Sequence, residues 1–341
     1  MSDMSFPEVL AAAIVRWCEL LALVIVIGGF ALDILVLPRA EELAAARRRL
    51  RLWGTFGVAV LIVAAGAVLM MRTLAMSGGG LAGLCAALPI VLTRTHFGAI
   101  WLVRAVALGL LLVVSLAGGR PVRIAGLLLS LCIALTTSLT GHAGDWGDRS
   151  LAVLADWIHA VAAGTWIGGL FGLALAVFPD RARWPAALLG QIARRFSRLA
   201  GYCLLAVVVT GAYNVWIQVP GPSALWTTTY GEALIVKLVL AAALAFVGCA
   251  NRYVVLPYLV GGGSQEPRWL SRLTTIWPRS DQKAAPTRLA WYVACEAAIA
   301  VVVLGCTAVL GESTPKGHAH HVAGAVDLGV VGGLAGPTRR N

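Results

Sequence analysis

Eight stretches of mostly apolar residues follow one another along the 341-residue chain, each long enough to cross a bilayer as a helix of about 20 residues or more. Charged residues make up only 13% of the chain and apolar residues 59%, which excludes a soluble enzyme, a disordered chain and a small disulfide scaffold. The sequence therefore predicts an all-α, polytopic membrane helix bundle with about eight transmembrane helices. We place the spans near residues 8–37, 52–72, 97–117, 122–140, 151–178, 193–218, 230–256 and 287–311.

Lys and Arg residues are concentrated in alternate loops, and this pattern indicates the direction of the spans. Loops on one side hold 18 of the 27 Lys and Arg residues, and those on the other side hold 6. Because cytoplasmic loops carry the positive excess, we expect both termini to be periplasmic. The net charge of +11 then reflects the orientation of the protein in the membrane, and anionic lipids are a further expected contact. We expect no nucleic-acid partner. The positive stretches are 38–51, the turn near 120, 179–198 and 252–288.

Outside the spans, little sequence is left for a second domain. We assign residues 1–311 to one eight-helix domain and residues 312–341 to a Gly- and His-containing periplasmic tail, which we expect to be flexible. Residues 73–96 are expected to form an outer loop that contains a short half-helix near 81–92.

Side chains that bind metals have a one-sided distribution in this topology. All six His and all five Met residues fall on the outer side or in the outer part of a span. Imidazoles bind copper and zinc, and thioethers select Cu(I), so this side is suited to receive copper in either oxidation state. The alternative is that these few His and Met residues fall on one side by chance. The candidate metal ligands are His96, His142, His159, Met70, Met71, Met76 and the tail residues His318, His320 and His321.

The sharpest cluster lies around the start of the fifth span. His142 precedes this span and His159 lies within it, three residues after Asp156 and on the same helix face. The Asp156 carboxylate is therefore expected to orient the His159 imidazole. If the span starts at 151, His159 lies about 12 Å deep, whereas a start at Asp156 places it only about 4.5 Å deep. We favour the shallower start, and a hydrogen-bonded structural role is the alternative for each His.

Charged residues inside the spans need partners, because isolated charges are unfavourable in a bilayer. Arg16, Glu19, Arg104 and Lys237 all lie in outer halves of spans and are expected to form one network near the cluster. Glu296 lies in the middle of the last span. It is expected either to relay protons or to pair with a basic side chain and hold helices together.

Two Gly pairs, Gly28-Gly29 and Gly168-Gly169, are expected to allow close packing of membrane helices. The chain carries no phosphate loop, zinc-protease motif or nucleophile elbow. We therefore expect no enzymatic activity.

Several of these stretches also resemble a known family. They are Thr140-Gly141-His142-Ala143, Asp156-Trp157-Ile158-His159 with Trp166-Ile167-Gly168-Gly169, Arg195-Phe196-Ser197-Arg198 with Thr210-Gly211, and Tyr230-Gly231 to Lys237 with Glu296. They are similar to motifs of the copper resistance protein D (CopD) family of bacterial inner-membrane proteins, and the resemblance covers most of residues 8–315. One departure is Arg16-Trp17-Cys18-Glu19, where the family's first helix tends to carry a His soon after an Arg.

The resemblance implies a multi-pass inner-membrane protein for copper transport, from periplasm to cytoplasm, and for copper homeostasis and tolerance. It also implies that His142 and His159 are copper ligands and that a small periplasmic copper carrier is a partner. One alternative is a haem-binding protein for electron transfer or oxidase assembly, because two His residues on neighbouring helices can bind haem iron. Another is a transporter of a non-metal substrate in which Lys237 and Glu296 act and the His residues are structural.

Overall fold

The computed structural model describes residues 6–77, 80–117, 119–219, 221–255 and 285–312, and this part is helical without strands. Eight helical segments in these ranges are long and apolar enough to cross a membrane, so the predicted eight-span bundle is confirmed. The α-helices are α1 Phe6–Ala31, α2 Ala44–Ser77, α3 Gly80–Arg94, α4 His96–Leu116, α5 Arg120–Leu139, α6 Leu151–Gly172, α7 Ala186–Gln218, α8 Ala224–Thr227, α9 Thr229–Ala250 and α10 Ala285–Glu312.

Two helices are longer than their apolar cores. Helix α2 extends beyond the predicted span 52–72 at both ends, and α7 begins at Ala186 rather than at 193. Arginines that were predicted to lie in the loop 38–51, such as Arg48 and Arg49, therefore lie on helix α2. Arg is a good helix former, so each helix continues beyond its apolar region into the charged sequence. A prediction from hydropathy alone ends the helix at the last apolar residues.

The predicted outer loop 73–96 is almost entirely helical. Helix α2 ends at Ser77 and α3 runs from Gly80 to Arg94 with Pro89 inside it, so the half-helix expected near 81–92 is confirmed and somewhat longer. Thr95 then caps α4, since its hydroxyl oxygen accepts a hydrogen bond from the Gly98 N–H at 3.0 Å.

Helices α1 and α6 form the centre of the bundle. Helix α1 packs against α2, α5, α6 and α10, and α6 is flanked by α5, α7 and α10. Gly28 on α1 and Gly168 on α6 face each other so closely that a Cβ on either would overlap the backbone of the other helix. This contact confirms the packing role predicted for Gly28 and Gly168, whereas a Cβ on Gly29 would meet nothing within 4 Å.

The two ends of the bundle differ in chemistry. At the arginine-rich end, which contains Arg39, Arg47 and Arg123, the Asp33 carboxylate pairs with Arg47 and with Arg123, each at 2.9 Å. At the opposite end, the histidine end, lie His96 and His142. Because α5 finishes and α6 starts there, His142 lies in the turn between these two helices.

Candidate metal-binding site

A short turn places His142 between α5 and α6. The chain forms a 3₁₀ helix at His142–Trp146, where Gly147 adopts φ 95°, a left-handed conformation that favours glycine. The His142 Nδ1 atom lies 4.0 Å from an Asp145 carboxylate oxygen. Its Nε2 atom is buried and has no hydrogen-bond partner among the described residues. A buried imidazole nitrogen without a partner is unfavourable unless it binds a ligand, which makes this atom a candidate metal ligand.

His159 is held by the neighbouring helix α7. Its Nδ1 atom lies 3.1 Å from the Thr210 hydroxyl oxygen, and that hydroxyl donates its own hydrogen to the Ala206 carbonyl at 2.6 Å. The Thr210 oxygen is therefore an acceptor for His159, so we assign the ring proton to Nδ1 and the lone pair to Nε2. Gly211 leaves room for the ring, since a Cβ there would be 3.2 Å from Cε1 of His159.

Asp156 does not have the position that was predicted for it. In the described helix α6, it makes no hydrogen bond to His159, and Thr210 orients the ring instead. Asp156 is still close enough to act on the imidazole through its charge, as is Lys237 on α9.

The start of α6 gives the distance of His159 from the end of its helix. Ser150 caps the helix by accepting a hydrogen bond from the Val153 N–H at 3.2 Å, and the helix begins at Leu151. The helix therefore starts five residues before Asp156, because Ser150 stabilises an earlier turn, and a membrane boundary at Asp156 stays a prediction. His159 lies about 12 Å beyond the helix start.

His142 and His159 lie at different levels of the bundle. Ala143 packs in one cluster with Ala152 and Val153, which precede His159 by six to seven residues, or about 9 to 10 Å along the helix. Among the described residues, no three His, Cys, Asp or Glu side chains are close enough to hold one metal ion. His142 and His159 are thus two separate imidazole positions at different depths of the bundle.

A buried ion network joins three helices, α1, α4 and α5, near the end of α5. The Glu19 carboxylate, 2% exposed, binds Arg16 at 2.7 Å and Arg104 at 3.2 Å. Arg104 also donates to the Thr136 hydroxyl at 2.9 Å and to the Thr140 hydroxyl at 3.0 Å. Since Thr140 lies two residues before His142, the network fixes the end of α5 from which the turn begins.

Lys237 belongs to a neighbouring set of charges. It interacts electrostatically with Asp156 and His159. Arg16 also acts on Asp156 through charge, so the predicted four-residue network consists of three directly bonded residues and Lys237, which is linked through Asp156. The Asp156 carboxylate on α6 and the Lys237 ammonium on α9 thus provide opposite charges near the deeper His.

The remaining predicted ligands lie apart from this pair. His96 is exposed and its Nε2 atom is 2.8 Å from an Asp148 carboxylate oxygen. Met70 and Met76 are exposed on α2, and Met71 is half-buried. The tail residues His318, His320 and His321 lie outside the described residues, as does the predicted tail after Glu312.

Glu296 has an amide partner rather than a basic one. It is buried on α10, and its carboxylate accepts a hydrogen bond from the Asn251 side-chain amide. The two residues line a cavity of about 110 Å³ together with Cys249 and Arg252. The basic partner that was one expectation for Glu296 is thus replaced by Asn251.

Sequence reasoning noted hydroxyl groups such as those of Thr136 and Thr210 but did not identify them as partners of the charged and imidazole side chains. Thr136, Thr140 and Thr210 each bind one of these side chains and their own helix backbone. Hydroxyls on apolar helices near a buried Arg or His were the available signal, because such groups need hydrogen-bond partners.

Comparison with known proteins places the chain in a family. The profile described as "Copper resistance protein D-like, N-terminal domain" matches residues 1–149, and "Copper resistance protein D" (CopD) matches residues 190–310. Copper resistance protein D of Pseudomonas syringae pv. tomato is 30% identical over 236 residues, which cover 67% of this chain and 71% of that protein. The chain belongs to the CopD family.

Two further relatives of this CopD-family protein agree with a membrane location. Copper transport protein CutJ of Bacillus subtilis is 28% identical over 58% of this chain, although the match covers only 38% of CutJ. Inner membrane protein YebZ of Escherichia coli is 25% identical over 65% of this chain and 70% of its own length. With its eight apolar helices, the CopD-family chain is a multi-pass inner-membrane protein. No solved structure matches it.

The candidate-site residues of this CopD-family protein are distributed over both matched segments and the interval between them. His142 falls in the first segment and Thr210 in the second, whereas Asp156 and His159 fall in the interval 150–189 between them. The structure explains Glu19 at the position where the family resemblance implies a His. Two guanidinium groups, those of Arg16 and Arg104, need an anion between them, and a carboxylate provides it.

Proposed function

We propose that this protein binds copper at the histidine end and passes it along α6 toward the arginine-rich end. The observation that carries the proposal is the buried, unpartnered Nε2 atom of His142. Neutral imidazole is a good ligand for copper in either oxidation state, and a buried lone pair with no hydrogen bond is available to the metal.

The second position on the path is His159. Its Nδ1 proton is held by Thr210, so its Nε2 lone pair is available, as is usual for metal-binding histidines that donate through the other ring nitrogen. Copper that leaves His142 would move about 9 to 10 Å inward to reach this level. Asp156 offsets part of the positive charge of the ion there, while Lys237 opposes a long residence of copper at His159.

Direction and partner are parts of the same proposal. The excess of Arg and Lys in alternate loops supports a periplasmic position for the histidine end, by the positive-inside rule. Copper would then enter from the periplasm, delivered by a small periplasmic copper carrier, and move toward the cytoplasm. The exposed His96, Met70 and Met76 side chains at this end would assist capture, together with the His residues of the tail.

Replacement of both His142 and His159 by Ala is expected to remove stoichiometric copper from the purified protein. His96→Ala is the matched control. His96 would assist capture only at the surface and its Nε2 atom is bonded to Asp148, so we expect this variant, once loaded with copper, to keep the copper bound at His142 and His159. The measurement is metal content with the visible spectrum after copper loading, on variants that elute as folded protein. A double variant with wild-type copper content would overturn the proposal, and a haem band would support the electron-transfer alternative instead.

The Thr210→Val variant is expected to bind copper about tenfold or more weakly, because the His159 ring loses the acceptor that fixes its orientation and tautomer. Copper affinity is measured by competition with a Cu(I) chelator. Thr307→Val is the matched control, since the Thr307 hydroxyl donates to the Val303 carbonyl of its own helix. Equal affinities of the two variants would contradict the role of Thr210.

A further inference from the structure

A second cavity lies at the arginine-rich end, far from the histidines. Its volume is about 490 Å³, and it is enclosed by the end of α1, the start of α2 and the turn between α4 and α5. Four arginines and two acids line it, which leaves two positive charges unbalanced. The charged lining residues are Asp33, Arg39, Glu41, Arg47, Arg51 and Arg123.

Asp33 and Arg47 form the fixed wall of this cavity. Arg47 donates through Nε to Asp33 at 2.9 Å, through Nη2 to the Pro38 carbonyl at 2.7 Å and through Nη1 to the Ala40 carbonyl at 3.3 Å. The second carboxylate oxygen of Asp33 accepts from Arg123 Nη1 at 2.9 Å. Both groups are therefore engaged, and Asp33 holds Arg123 in place.

Arg123 presents an unused hydrogen-bonding edge. Its Nη1 atom is bound to Asp33, but its Nε atom is buried and has no hydrogen-bond partner in the part of the chain that the structure describes. The Nε and Nη2 hydrogens of a guanidinium lie side by side, and this edge matches two oxygens of a phosphate or carboxylate. A buried, unpartnered Nε in a positively charged cavity indicates a site for an oxyanion.

The rim of the cavity supplies further positive charge. Arg39 and Arg51 are exposed and form no ion pair with the described part of the chain. Gly119, at the start of the 20-residue helix α5, also lines the cavity, so the positive end of that helix dipole faces it.

We propose that this cavity binds a phosphate-bearing anion, with Arg123 contacting the phosphate oxygens and Arg39 and Arg51 stabilising its charge. Two sources share this chemistry: the headgroup of an acidic phospholipid and free inorganic phosphate. The lipid is the expected source, because basic pockets between transmembrane helices on the cytoplasmic side suit acidic headgroups. The site does not depend on copper binding at the histidine end.

The test uses the full-length protein in a neutral detergent and native mass spectrometry. Short-chain phosphatidylglycerol, the matched phosphatidylcholine and inorganic phosphate are titrated separately. The double variant Arg39→Gln/Arg51→Gln and the single variant Arg123→Lys are compared with a control, Arg48→Gln/Arg120→Gln. The control removes the same two charges from exposed positions on α2 and α5 that do not line the cavity.

We expect phosphatidylglycerol to bind about tenfold more weakly to both cavity variants and with unchanged affinity to the control. The same pattern for inorganic phosphate, without phosphatidylglycerol binding, supports the site with free phosphate as its source. Equal losses in the cavity and control variants, or no binding of either phosphate probe, would overturn the proposal. The Arg39/Arg51 variant leaves Asp33 paired, so it remains decisive if Arg123→Lys fails to fold.

Discussion

The Glu19→Gln variant is expected to unfold at a much lower temperature than the wild-type protein. Glu19 is the anion that Arg16 and Arg104 share, and Arg104 is only 2% exposed. Removal of one partner from a buried ion pair leaves an uncompensated charge, which destabilises a protein by about 3 to 5 kcal/mol. The measurement is the midpoint of thermal unfolding in one detergent, followed by tryptophan fluorescence.

Two comparisons separate this effect from the loss of any acidic residue. Glu42→Gln removes an exposed acid that lies outside the network, and we expect a nearly unchanged midpoint. Glu19→Gln combined with Arg104→Met removes both buried charges and is expected to recover part of the stability, because the two changes are coupled. If Glu19→Gln unfolds at the same temperature as Glu42→Gln, the network does not stabilise the bundle.

The same variant connects the network to copper. Arg104 holds the hydroxyls of Thr136 and Thr140, and the turn that carries His142 begins directly after Thr140. Loss of Glu19 would release the Arg104 guanidinium and loosen the end of α5. We therefore expect the folded fraction of Glu19→Gln to bind copper more weakly, although Glu19 is not itself a ligand in our proposal.

Features that depend on local sequence were predictable. The eight spans follow from the length and hydropathy of single segments, and the expectation that Gly28 and Gly168 allow close helix packing follows from small residues in apolar helices. The need of Glu19 and Arg104 for partners followed from the unfavourable energy of charges in a bilayer. Each of these inferences requires only the sequence of a single segment and the fact that lipid surrounds it.

Features that depend on how two helices meet were not predictable. His159 and Thr210 are 51 residues apart, and only the packing of α6 against α7 brings them together. Asp156 was the nearer candidate in sequence, but the partner of His159 Nδ1 is Thr210 on the neighbouring helix. Similarly, a single sequence gives no reason to prefer Asn251 over a basic residue as the partner of Glu296.

Replacement of Gly168 by Ala is expected to separate the two central helices and to destabilise the bundle strongly. The added Cβ would overlap the Val24 carbonyl and approach the Gly28 Cα atom, and backbone atoms cannot rotate away as a side chain can. Overpacking of a core typically costs about 1 to 3 kcal/mol, and a collision with backbone belongs at the upper end of that range or beyond it. The midpoint of thermal unfolding and the yield of monodisperse protein measure the effect.

The control for Gly168→Ala is Gly29→Ala, because Gly29 is adjacent to Gly28 on α1 but a Cβ there would meet nothing within 4 Å. Ala is a better helix former than Gly by about 1 kcal/mol, so Gly29→Ala should be neutral or slightly stabilising. Equal midpoints for the two variants would show that α1 and α6 are not in backbone contact. Since α6 also carries His159, about 13 Å from Gly168, a shift of this helix would move the imidazole away from Thr210 on α7. We therefore expect the folded fraction of Gly168→Ala to bind copper as weakly as Thr210→Val.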